Sequence, residues 1–278
     1  MIRTYIYNIS LYIVMFAAVL LSTQTVTAAD SKTTAESVWQ QGVEAYTDKE
    51  YDRAVECFEQ VVALGYGSAD VYYNLGDAYF KRGQHNISGT NRPFASGELG
   101  KAIINYYRAL RLEPSMKDAR YNLDLARDHT NDTEAVPQAL LARAWYALRD
   151  TMSSNGWAVI SVVVLVVTLL LVLLYLLSSR VALRKVSFFV AIVTVVVFVL
   201  TTILALSQRA VYISDERAVV MCNDTTPVHA SPDSSSKIVR QPSQGVTVDV
   251  VREHGEWSEI EFADGEKGWI RTTAIERI

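Results

Sequence analysis

Hydrophobic and polar positions follow three distinct patterns along this chain. Three stretches, residues 4–29, 151–179 and 186–208, contain no charged residue. Each is long enough to cross a bilayer as a helix, which takes about 20 apolar residues. Between the first two, apolar positions recur with helical spacing from residue 35 to 130. After the third, the period changes to two: GVTVDVVR, EWSEIEF and EKGWIR alternate as half-buried strands do. The pattern predicts a multidomain membrane protein with an all-α domain, two membrane helices and a small all-β domain.

The first apolar stretch follows Arg3 and ends in small residues before Asp30. A positive start, an apolar centre and a small-residue end make a secretory signal, predicted over 1–29. An uncleaved anchor fits the same residues. The other two stretches are predicted to be transmembrane helices over 157–178 and 187–207. The connection between them, 179–186, carries Arg180, Arg184 and Lys185. Positive loops stay in the cytoplasm. The signal sends residue 30 onward out of it. Both rules give one topology, a two-pass membrane protein with both large domains outside the cytoplasm.

A period of 34 runs through the helical region. Gly42 and Gly76 are 34 apart, as are Tyr46 and Phe80. Asn74-Leu75 recurs as Asn122-Leu123 after 48 residues, a repeat plus a 14-residue insertion at 84–97. These residues resemble tetratricopeptide repeats. The resemblance implies repeats at 35–68 and 69–116 and an extra helix at 117–130, within a domain over 30–135. It also implies a concave wall built from Trp39, Val43, Tyr46, Tyr73, Asn74, Asp77, Phe80, Tyr121, Asn122 and Leu125, facing a protein or peptide. The same aromatics would equally suit packing between helices. Relatives that clamp a terminal carboxylate use Lys and Arg there. Trp39, Val43 and Asp118 stand in those places, which argues against such a ligand. The insertion reads as a surface loop or as a partner-contacting arm with Phe94 at its tip.

Residues 136–153 are predicted to form an amphipathic juxtamembrane helix, with Leu141, Trp145 and Leu148 on one face. It would either cap the repeats or lie on the membrane with Arg143 and Arg149 toward headgroups. Residues 210–278 resemble bacterial SH3-like domains, carried by Gly245, Trp257, Gly265 and Gly268-Trp269-Ile270. Such modules bind cell-wall peptides or proteins, so Trp257 and Trp269 are candidate contacts, or else core residues of a small barrel.

Charge sharpens this division. The 278 residues carry a net −4, with 50% hydrophobic and 20% charged residues. Residues 30–135 hold 12 basic and 17 acidic groups, residues 208–278 hold 8 and 12, and residues 136–207 hold 5 and 1. Two acidic domains therefore flank a basic membrane hairpin. A nucleic-acid partner is excluded by the lack of a basic patch. Two Cys and four scattered His offer no metal-ligand spacing. Cys57 and Cys222 read as small buried hydrophobes. No phosphate loop, nucleophile elbow or zinc-protease motif occurs. The sequence thus predicts no cofactor, no metal and no catalytic residue, and a chain that is not an enzyme.

The order of signal, repeats, two-helix hairpin and SH3-like module is similar to the BatE type of the Bacteroides aerotolerance (Bat) proteins. GKAIINYYRALRLEP and ARYNLDLAR add to the likeness. That resemblance implies a scaffold whose partners are membrane-anchored von Willebrand A-domain Bat proteins and, indirectly, a MoxR-type ATPase. A cell-wall sensor, with the SH3-like module on peptidoglycan, is the rival expectation.

Overall fold

The computed structural model describes residues 32–85, 94, 97–130, 140–213, 216–221 and 226–278. The predicted signal, most of the 84–97 insertion and Cys222 lie outside the described residues.

Helix α1 covers 32–47. It is followed by α2 (Tyr51–Ala63), α3 (Ala69–His85), α4 (Glu98–Leu112) and α5 (Lys117–Arg127). Consecutive helices pack side by side, because each buries one apolar stripe and short turns fold it back on its neighbour. Ala54, Val55 and Phe58 of α2, Leu75 and Ala78 of α3, and Ala102, Ile103 and Tyr106 of α4 share one core. The 34-residue spacing of Gly42 and Gly76 has a packing cause. A Cβ at Gly42 would lie 2.7 Å from the Phe58 ring, and one at Gly76 would lie 2.8 Å from the Tyr106 ring. Each glycine makes room for the aromatic of the following helix.

Phe94 corrects the expectation of an exposed arm. It is buried, 4.9 Å ring to ring from both Phe80 and His129. A large apolar ring gains by leaving water, and Phe94 does so by packing into the helical core.

Helix α6 (Leu140–Arg149) leads into α7 (Ser154–Leu177) and α8 (Val181–Ile213). The last two form an antiparallel hairpin. Its seam is small and polar: Ser161 and Thr202 hydroxyls share a 2.7 Å hydrogen bond, and Ser154 Oγ donates to the Ala205 carbonyl at 3.2 Å. Outside the seam, valine and leucine side chains are exposed along both helices. Such a surface suits a lipid solvent and no aqueous one. The connection expected over 179–186 is shorter than predicted. Helix α8 already begins at Val181, since nothing between Val181 and Ser187 breaks a helix, and it outruns its apolar stretch at both ends.

Seven antiparallel strands follow: β1 (Arg217–Val220), β2 (Val228–His229), β3 (Ile238–Arg240), β4 (Thr247–His254), β5 (Trp257–Glu261), β6 (Lys267–Arg271) and β7 (Ile275–Arg277). Their order across the sheet is β3-β2-β6-β5-β4-β1-β7. Gly255 and Gly265, at φ 61° and 87°, take left-handed turn positions between β4, β5 and β6. Val220, Val228, Val248, Val250, Ile260 and Ile270 line the inner face of the sheet.

The sheet is not a free-standing module. Val219 of β1 and Ile278 are buried in the helical core rather than in the sheet's own. Arg108 of α4 pairs with Glu276 at 2.6 Å. Arg111 donates to the Tyr212 carbonyl in the last turn of α8 at 2.6 Å and also to the Ile278 carbonyl. Helix α4 therefore joins the helical array, the end of α8 and the sheet.

Candidate functional site

One face of the array, built by α1, α3 and α5, carries most of the residues that sequence reasoning singled out. Tyr121 and Leu125 of α5 are 70% and 40% exposed, and Val43 of α1 is 36% exposed. Trp39, Tyr46, Tyr73, Asn74, Asp77 and Asn122 are half-buried. Trp39 leans on Phe58 with ring centroids 5.2 Å apart. Asn74 is turned to its own helix, its amide donating to the Asp70 carbonyl at 2.8 Å. Phe80 departs from the expected wall. It is 5% exposed and packs at a tilt against Phe94, ring centroids 4.9 Å apart, so it belongs to the core.

The floor of this face is a polar network. Tyr106 Oη of α4 and Asn122 Nδ2 of α5 both donate to Asp77 Oδ1, each at 2.7 Å. Asn122 Nδ2 also lies 3.4 Å from Tyr73 Oη. Burial pushes the Asp77 carboxyl above its ordinary range, and these hydrogen bonds pull it only part of the way back. Burial and the nearby Asp77 charge push Tyr73 up to about 12 and raise Tyr46 and Tyr106 further. The phenols therefore stay protonated; the Tyr106 hydroxyl donates to Asp77, and the Tyr73 hydroxyl accepts from Asn122. Tyr106 was legible in the sequence only as a repeat aromatic. Its role as the central donor needed the third dimension.

A raised carboxyl binds its proton more readily in the folded state. Asp77 therefore removes stability as pH rises from its unfolded value through its folded one. Asp77→Asn keeps an acceptor for both donors and loses the buried charge. It is expected to flatten the pH dependence of unfolding across that acidic window and to unfold no more easily at neutral pH. Asp77→Ala strands the Tyr106 hydroxyl and is expected to cost about 1–3 kcal/mol. Thermal unfolding of the full chain in detergent, followed by circular dichroism, reads both.

A second candidate surface lies on the sheet. Trp257 and Trp269 are each 8% exposed, yet neither belongs to the sheet's inner core. In the β5–β6 register, Trp257 faces Arg271 and Trp269 faces Glu259, opposite in sense to Ile260 and Ile270. Arg271 covers Trp257 at 4.4 Å, Arg252 covers Trp269 at 5.3 Å, and His229 stands edge-on to Trp257 at 5.3 Å. The tryptophans are hidden by long charged side chains, not by the fold's interior. Among the described residues no group of His, Cys, Asp or Glu is arranged to hold a metal, and Cys57 is a half-buried free thiol raised by burial.

These features define an integral membrane protein that carries a helical array and a C-terminal SH3-like sheet. A family model described as the bacterial SH3 domain matches residues 224–276. A second, the MAPEG family, matches residues 72–204, from α3 into α8. MAPEG members are membrane enzymes, which overturns the expectation of a chain without enzymatic activity. Among solved structures, the Arabidopsis OM64 TPR domain is similar at 20% identity over 36% of this chain and 98% of that one, with a TM-score of 0.19. No curated protein matches the chain.

Proposed function

We propose that this is a membrane-anchored interaction protein of a bacterial envelope, whose α1–α3–α5 face holds an extended segment of a partner protein. One observation carries the reading. Tyr121, Leu125 and Val43 stay exposed beside the network of Asp77, Asn122 and Tyr73. Exposed aromatic and aliphatic anchors over fixed polar groups suit a chain with alternating apolar and amide groups. The 34-residue spacing and the fit of Gly42 and Gly76 to the next aromatics support tetratricopeptide repeats. The Arg108–Glu276 and Arg111–Ile278 contacts support a common membrane side for array and sheet. With Arg180, Arg184 and Lys185 between the membrane helices, that side is the periplasm. The BatE-type resemblance supplies the partner class: membrane-anchored von Willebrand A-domain proteins, coupled to a MoxR-type ATPase. The test is co-purification from native membranes. Tyr121→Asp combined with Leu125→Asp is expected to abolish recovery of the A-domain protein at unchanged expression, and undiminished recovery contradicts the proposal.

The arginine-covered tryptophans favour a second reading, in which the sheet also binds peptidoglycan. The full chain in detergent would then pellet with purified cell walls, and Trp269→Ala would lower the pelleted fraction. Absence of pelleting removes this reading.

A further inference from the structure

Among its described side chains, helix α6 packs on the membrane hairpin. Its sequence, LLARAWYALR, places Trp145 against Trp157 and Ile160 of α7 and Leu204 and Ala205 of α8. The indole of Trp157 donates to the Arg149 carbonyl at 3.0 Å, tying the end of α6 to the start of α7. Toward the array, Arg120 pairs with Asp150 at 3.5 Å, and Thr151 and Met152 border a cleft with Gly67 and Pro114. The attachment points fix the depth of α6. Trp157 is the fourth residue of α7, and Leu204 and Ala205 lie one turn from the polar end of the α8 apolar stretch. All four belong to the same end of the hairpin. The helix therefore rests against the hairpin where acyl chains give way to headgroups.

At that level it keeps apolar side chains uncovered. Tyr146, Leu148 and the following Met152 are 41%, 42% and 37% exposed. Leu148 was expected on the packed face with Trp145, and it instead points away from the hairpin's cluster. The exposed set continues into Val159 and the other uncovered side chains of α7. Arg149 is held at the helix end by Asp150 at 2.8 Å and lies over the Tyr146 ring at 5.0 Å. That arrangement leaves the middle of the exposed stripe apolar.

We infer that α6 is a third membrane-contacting element, lying in the plane of the bilayer with Tyr146 and Leu148 against lipid. The occupant is lipid because the stripe is continuous with the surface that α7 and α8 already present to the acyl chains. In-plane helices of this kind sit about 5–10 Å into the boundary between headgroups and chains. Asp150, paired with Arg120 of α5 and with Arg149, then ties the end of α6 to the array.

The test uses the full chain in phosphatidylcholine–phosphatidylglycerol vesicles, with Cys57→Ser and Cys222→Ser. Leu148→Cys or, separately, Tyr146→Cys carries an environment-sensitive fluorophore, and Gln41→Cys on α1 serves as the reference. Nitroxide lipids labelled near the headgroup are expected to quench positions 146 and 148 strongly and position 41 not at all. Lipids labelled at the acyl terminus are expected to quench less. Emission at 146 and 148 that ignores both lipids overturns the inference, and protection that grows with protein concentration then assigns the stripe to a second copy. Stronger quenching by the deep label overturns the in-plane placement.

Discussion

Gly100→Leu is expected to detach the SH3-like sheet from the helical array while leaving α4 helical. Gly100 is the third residue of α4. Its position is explained by what it faces. A Cβ there would lie 3.0 Å from the Val220 carbonyl, 3.3 Å from Met221 Sδ and 3.6 Å from the Gly245 nitrogen, all on the sheet side. Gly245 answers it: a Cβ there would lie 2.7 Å from Ile103 and 3.0 Å from Thr130, both on the array. Two glycines thus allow close approach across one interface. A leucine at 100 adds bulk only toward the sheet. Overpacking of this kind costs about 1–3 kcal/mol, enough to shift the docking equilibrium by about fivefold to a hundredfold. Short-linker crosslinking between cysteines at 108 and 276 reads it directly, because Arg108 and Glu276 are in contact in the parent protein. An undiminished yield would mean that the interface tolerates the wedge.

Ile260→Ala carries the largest expected energetic effect. Ile260 is fully buried at the centre of the sheet core, among Val248, Val250 and Ile270. Removing its side chain leaves a cavity and is expected to cost about 2–5 kcal/mol. The loss should not stay local. Val219 and Ile278 belong to the helical core, so a loosened sheet also uncovers Leu99 and Ile103 of α4. In the parent background Ile260→Ala is expected to lower one shared unfolding transition. In the Gly100→Leu background it is expected to lower only the transition of the sheet. Calorimetry of the full chain in detergent separates the two cases, and independent transitions in the parent would contradict the shared core.

The elements were legible because each has a local cause. The apolar stretches announced α7 and α8, the 34-residue period announced the paired helices, and strict alternation with Asp264-Gly265 announced the β5–β6 hairpin. Tyr73, Asp77 and Asn122, which the repeat resemblance grouped, meet in one hydrogen-bonded network. What failed was tertiary. Phe80 and Phe94 both looked like surface aromatics, yet they meet each other and His129 inside the array. Trp257 and Trp269 looked like either core or contact residues. They are neither in the inner core nor open, because Arg271 and Arg252 cover them. The docking of the sheet on α4 was invisible. Its signal, a glycine in the first turn of α4 at Gly100, has many other causes in a single sequence. The expectation of no enzymatic activity rested on missing motifs, and a family-level match over 72–204 was beyond the reach of motif reading.

Photocrosslinking in native membranes tests the central claim most directly. A photoreactive residue replaces Tyr121 on the array and, in a parallel protein, Arg271 on the sheet. The proposed interaction face predicts a discrete adduct from position 121 containing a membrane-anchored A-domain protein, lost when Leu125→Asp is added. Adducts from position 271 alone, with none from 121, would contradict it.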